Sequence, residues 1–166
     1  MFIFAQIKKF MEKIDALNQV AEFHKTFNAP ILDQPTIPSK ERCELRISLL
    51  QEELNELKEA IADNDLVEIA DALCDLQYVL SGAVLEFGLG EKFVKLFNEV
   101  QRSNMSKACS NQQEADETIE FYREKGEDAF SEISGEKINV HRKSDNKVLK
   151  NKYYSPADLK SILDEA

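Results

Sequence analysis

QEELNELKEAIADNDLVEIADALCD, residues 51–75, is the stretch around which the rest of the chain is organised. It holds nine carboxylates and one lysine, Lys58. Two acidic phrases, Glu52-Glu53-Leu54-Asn55-Glu56 and Glu68-Ile69-Ala70-Asp71, stand on either side of a turn at Asp63-Asn64-Asp65. On a helix, residues three or four apart share a face, so Glu53 pairs with Glu56 and Glu68 with Asp71. So much like charge opposes folding unless a cation or the solvent screens it.

Working outward, the apolar line Leu50, Leu54, Leu57 and Ile61 gives a helix that ends near Ala62, with Ser39 as its cap and Glu41 in its first turn. Asp65 caps the next helix, which runs to about Phe87, before Gly88 and Gly90. That helix is apolar nearly all round except for the line Glu68, Asp71 and Asp75, so it must be covered on most sides. One small chain has few helices to do this. A homo-oligomer is therefore expected, a dimer in the first instance.

Upstream, a helix is expected from about residue 5 to residue 27, closed by Asn28-Ala29-Pro30 and followed by a connection carrying Pro30, Pro35 and Pro38. Downstream, a fourth helix from about Glu91 to Lys107 is expected to turn Phe93, Val94, Phe97 and Val100 inward. Ser110 with Gln113 resembles a capping box for a fifth helix, Gln112 to Lys125. Alternation around Gly135 predicts a hairpin between Asp128 and Arg142, then a basic loop, then a short helix opened by Ser155 and Pro156. The fold class is all-α: a bundle of four core helices over residues 1–107, with residues 108–166 as a C-terminal appendage of helix, hairpin and short helix.

With 31 acidic against 21 basic residues and a net charge of −10, the chain is a poor ligand for nucleic-acid polymers or anionic membranes. It suits hard divalent cations, which prefer oxygen. Cys43, Cys74 and Cys109 are an odd number with no Cys-x-x-Cys pair, which reads as free buried thiols in a cytoplasmic protein. The opening apolar run is too short to span a membrane.

A charge run on a helix is usually a solvated face. That reading weakens at Asp71 and Asp75, which stand among aliphatic residues on a helix without Lys or Arg. Two antiparallel helices joined by a tight turn can bring Glu53/Glu56 and Glu68/Asp71 face to face around Mg²⁺, with Mn²⁺ as the alternative. Such an ion polarises a phosphoryl group and acidifies a bound water, whose proton Glu52 or Glu53 could take. Di-iron chemistry lacks its Glu-x-x-His phrases, since neither His24 nor His141 has a Glu three residues before it.

The pattern Glu52-Glu53-x-x-Glu56 followed by Glu68-x-x-Asp71 resembles the EExxE…ExxD signature of the all-α nucleoside triphosphate pyrophosphohydrolases, the MazG-like, phosphoribosyl-ATP pyrophosphohydrolase-like and dimeric dUTPase-like group. Phe23-His24-x-x-Phe27, the run from Arg102 to Lys107, and the run from Asp145 to Lys150 with Tyr153, Pro156, Asp158 and Leu159 after it are similar to phrases of the phosphoribosyl-ATP branch. The resemblance implies a helical dimer or tetramer that hydrolyses a nucleotide between its α and β phosphates with Mg²⁺. It also implies Glu53, Glu56, Glu68 and Asp71 as metal ligands, Glu52 as an outer ligand or water-orienting group, and Asn104, Lys107, Lys147 and Lys150 as contacts to nucleotide or phosphates. The chain departs from that pattern between Ala108 and Arg142, where it inserts a helix and a hairpin.

Residues 137–152 carry six Lys or Arg against one Asp, either a solvated loop or a group that folds over the acidic pocket of the same or a neighbouring subunit. His24 reads as a partly buried helix residue, and Phe23 or Phe27 as core or a stacking face for a base. The expected function is a Mg²⁺-dependent nucleotide pyrophosphohydrolase. The competing class is a non-catalytic helical adaptor whose acidic stripe is only a surface.

Overall fold

The computed structural model describes residues 12–165. Among these, six helices and one two-stranded antiparallel sheet account for the regular structure. The described residues through Glu91 form one compact unit, and those from Lys92 onward form another. No described helix is long and apolar enough to cross a membrane.

In the first unit, α1 (Ala16–Thr26) and α2 (Lys40–Ala62) both pack on α3 (Leu66–Glu86). The tight turn at Asp63-Asn64-Asp65 forces α2 and α3 antiparallel. It does so because Asn64 takes φ 54°, a left-handed value that asparagine tolerates, and the Asp65 side chain accepts from the backbone N–H groups of Val67 and Glu68. The packed interior is small, made of Val20, Ala60, Ala72, Val84 and Leu85. The proline-bearing connection lies along the end of α3, where Leu32 N–H donates to Leu85 O and Thr36 N–H to Phe87 O, each at 3.0 Å. Gly88 permits this approach: its φ is +65°, and a Cβ there would stand 1.9 Å from Gln34 O.

The second unit contains α4 (Phe93–Met105), α5 (Gln112–Arg123), β1 (Ala129–Ser134), β2 (Lys137–Arg142) and α6 (Leu159–Asp164). The hairpin register pairs Ala129 with Arg142 and Ser134 with Lys137, which leaves a turn at Gly135. Its core is Cys109, Ala115, Val140 and Leu149, with Ile119, Tyr122, Ala129 and Ile138 packed against it.

Several local expectations are corrected. Residues 12–15 are not helical and α1 begins at Ala16; the part of that expectation before residue 12 lies outside the described residues. On α4 the buried positions are Leu96 and Ser103, whereas Val94, Phe97 and Val100 are exposed. The cap of α5 is Asn111, which accepts from Glu114 N–H, while the Glu114 carboxylate accepts from Ser110 N–H at 2.7 Å. A carboxylate is the stronger acceptor for that backbone group, so the box sits one residue later than Ser110 and Gln113. The last helix is opened by Asp158 rather than Ser155, because the carbonyls of Ser155 and Pro156 are taken by the Arg102 guanidinium. Of the three free thiols only Cys109 is buried; Cys43 is half-buried and Cys74 exposed.

Candidate functional site

The acidic phrases land on facing helices. Glu52, Glu53 and Glu56 are on α2, and Glu68, Asp71 and Asp75 on α3. Glu53 is the residue turned inward: it is half-buried, and its Oε2 is closed off from solvent with no hydrogen-bond partner. Burial pushes its carboxyl above the usual glutamate range, and the charges of Glu56, Asp75, Glu52 and Asp71 push it the same way. Four carboxylates, two from each helix, therefore bear on the Glu53 carboxyl. The turn at residues 63–65 folds α3 back along α2, and the small residues Ala60 of α2 and Ala72 of α3 are both buried.

The remaining carboxylates differ from expectation in their surroundings. Asp71 is exposed and Asp75 half-buried, so neither is enclosed by aliphatic side chains within this chain. Glu68 is exposed in the first turn of α3. Glu56 is exposed, and Glu52 is exposed along a groove it shares with Ser48, Gln51 and Asn55. Among the described residues, no three His, Cys, Asp or Glu side chains stand close enough to chelate an ion. The donor set is nonetheless of the kind a hard divalent cation takes: carboxylate oxygens only, one of them sealed and unpartnered among like charges.

In the second unit, α4 and the segment after Leu149 gather cations around Tyr154. Its hydroxyl is 3.0 Å from Ser103 Oγ, and Lys150 Nζ lies 4.3 Å from its ring centroid. The Ser103 hydrogen bond, then Lys150, Lys107 and Arg102, hold the phenol below the usual tyrosine range. Lys107 donates to Asn104 Oδ1 at 2.8 Å. Three of the four expected phosphate-contacting residues, Asn104, Lys107 and Lys150, thus belong to one cluster. Lys147 instead lies in the turn after β2, where its carbonyl accepts from Arg142 N–H. Arg102 chelates Glu99 and reaches the carbonyls of Ser155 and Pro156. It holds the Glu99 carboxyl down to about 2, helped by the backbone N–H of Asp158.

Sequence reasoning missed two features. Tyr154 and Ser103 gave no signal of their own. Glu86, the last residue of α3, is buried and paired with Arg42 and Arg46 of α2, a signal visible as two arginines four residues apart and a lone acid in an apolar run. His24, expected to be partly buried, is fully buried, and Phe23 packs edge-on to Tyr78 at 5.6 Å and beside Phe27 at 4.4 Å.

The phosphoribosyl-ATP pyrophosphohydrolase family model matches residues 20–104, which takes in both acidic phrases. The chain is also similar to an uncharacterized protein of Acanthamoeba polyphaga mimivirus, at 23% identity over an alignment that covers 92% of this chain and 97% of the viral protein.

Proposed function

Because the chain belongs to the phosphoribosyl-ATP pyrophosphohydrolase family, within the MazG-like nucleoside triphosphate pyrophosphohydrolase superfamily, we propose that it hydrolyses a nucleoside triphosphate or related nucleotide between the α and β phosphates, leaving a monophosphate and pyrophosphate. The observation that carries this reading is the sealed, unpartnered Oε2 of Glu53 among the carboxyls of Glu52, Glu56, Asp71 and Asp75.

Glu53, Glu56, Glu68 and Asp71 would hold Mg²⁺, or Mn²⁺ in its place, with Asp75 added by its action on Glu53. Such an ion, when bound, polarises a phosphoryl oxygen, orients the phosphate chain and acidifies a water. The protein's own groups do the rest. Glu52, exposed beside this cluster, orients the attacking water and accepts its proton. Glu53 is the alternative base for that proton where it is not engaged by the ion. Asn104, Lys107, Lys147 and Lys150 are the proposed contacts to nucleotide and phosphates. The cation cluster at Tyr154 supports three of them, since ammonium groups suit phosphate oxygens.

The working form is a homo-oligomer, a dimer in the first instance. Leu66 and Val67 are each 75% exposed and Leu73 is 52% exposed, an apolar stretch of α3 that water should not face. The cytoplasm is the proposed location.

A pyrophosphate-release assay over a panel of ribo- and deoxyribonucleotides, with and without Mg²⁺, tests the function. Release from at least one nucleotide, abolished by chelation, is the expected result. No release from any nucleotide, together with a melting temperature indifferent to Mg²⁺ and Mn²⁺, would leave a helical adaptor.

A further inference from the structure

A layer of charge is buried where α1, α2 and α3 meet. Glu86, 1% exposed, accepts from the guanidiniums of both Arg42 and Arg46, with Arg42 Nε 3.0 Å from Oε2. Arg46 is itself buried, and its Nε has no partner. Its Nη2 lies 3.5 Å from His24 Nε2, and His24 Nδ1 is 2.8 Å from Pro30 O. A carbonyl can only accept, so Nδ1 carries the proton and Nε2 offers its lone pair to the guanidinium. Gly82, one turn before Glu86, makes the room: a Cβ there would stand 2.7 Å from Arg46 Nη1 and 3.0 Å from His24 Nε2. Glycine within a helix is disfavoured, so the empty position serves as a notch for the two side chains.

A buried ion pair with a nitrogen left over is a poor choice for stability, since well-packed apolar residues do as well. Apolar contacts, however, let one helix turn on another, and directional hydrogen bonds do not. Arg46 and Glu53 are seven residues apart on α2 and so lie on one stripe, while Glu86 and Asp75 both belong to α3. A helix with side chains has a radius of about 5–6 Å, so a rotation of about 20° would carry a carboxylate roughly 2 Å. Ligand distances at a metal tolerate only about 0.2 Å.

We propose that the Glu86–Arg46–Arg42 knot, seated in the notch at Gly82, is the positioning device of the acid cluster, fixing the rotation and slide of α2 on α3 that bring Glu53 and Asp75 together. The inference rests on reading that cluster as a divalent-cation site.

The test uses Mn²⁺ alone on the full chain, with free Mn²⁺ followed by electron paramagnetic resonance and no nucleotide present. Gly82→Ala keeps every charge but displaces Arg46. It is expected to weaken Mn²⁺ binding about tenfold or more, the range found when groups that orient metal ligands are lost. In the pyrophosphate assay it should raise the half-activating metal concentration to match, with little change in kcat at saturating metal. Adding Arg46→Lys, which removes the colliding Nη1, should recover part of the affinity. Ser81→Ala, which loses only hydroxyl bonds to Gln77, should lower the melting temperature and leave Mn²⁺ affinity unchanged. Should Gly82→Ala not fold, Arg42→Gln takes its place, with a smaller loss of affinity expected. A folded variant at either position with wild-type Mn²⁺ affinity overturns the positioning role and spares the metal site. Absence of Mn²⁺ binding to the unaltered protein removes both.

Discussion

Replacing Glu86 with glutamine keeps the shape of the side chain and removes the anion that Arg42 and Arg46 share. The side chains of Glu86, Arg46 and Arg42 are 1%, 9% and 35% exposed, so the cost is set by Arg46. Removing one partner of a buried pair costs about 3–5 kcal/mol, because the other charge stays buried without compensation. Arg42 reaches solvent, and a surface pair contributes at most about 1 kcal/mol. For a chain of this length, each kcal/mol moves the melting midpoint about 2–4 °C, which puts Glu86→Gln roughly 6–20 °C below wild type. Arg42→Gln, by the same reasoning, should fall about 4 °C or less.

The assay is thermal and urea unfolding followed by far-UV circular dichroism, without added metal. The pH dependence supplies a second reading. Burial pushes the Glu86 carboxyl up, but the hydrogen bonds and charges of Arg46 and Arg42 outweigh it and leave it lowered. A carboxyl lowered by folding contributes stability that is present above its unfolded pKa and lost as pH falls through the folded one. The gap between wild type and Glu86→Gln should therefore be widest near neutrality and close as the pH drops below the carboxylate range. A Glu86→Gln protein that melts within about 2 °C of wild type, a shift worth under about 1 kcal/mol, would refute the buried pair.

Glu53→Gln should act in the opposite direction. Glu53 is raised by folding, so its penalty is absent at low pH and present in full above its folded pKa. Without metal, the variant should melt higher near neutrality, by about 2–4 °C if relief is about 1 kcal/mol, and should lose the rise that Mg²⁺ or Mn²⁺ gives wild type, both read by differential scanning fluorimetry. Glu56→Gln and Asp71→Asn, at exposed positions, should abolish pyrophosphate release while circular dichroism and melting stay near wild type; normal turnover in both would count against the site. Lys150→Ala should raise KM for the nucleotide far more than it lowers kcat, and the loss should shrink as salt screens the phosphate contact.

The sequence by itself determined α2 and α3 and the acidic residues they carry. Periods near 3.6, the cap at Asp65 and the prolines after Pro30 are local signals, and α2 and α3 fall within a residue or two of where those signals put them. Local competition between neighbouring caps decided what the sequence left ambiguous, as where Glu114 outbid Gln113 for the Ser110 backbone. Tertiary structure alone selected Glu53 as the member of the acid cluster that loses solvent, brought Asp75 to bear on it, and tied Glu86 to two arginines 40 and 44 residues away. It also left Val94, Phe97 and Val100 of α4 exposed. The physical reason is the same in each case. Periodicity reports which residues share a face of one helix, whereas desolvation and charge pairing depend on the rotation of one helix against another, which no single helix encodes.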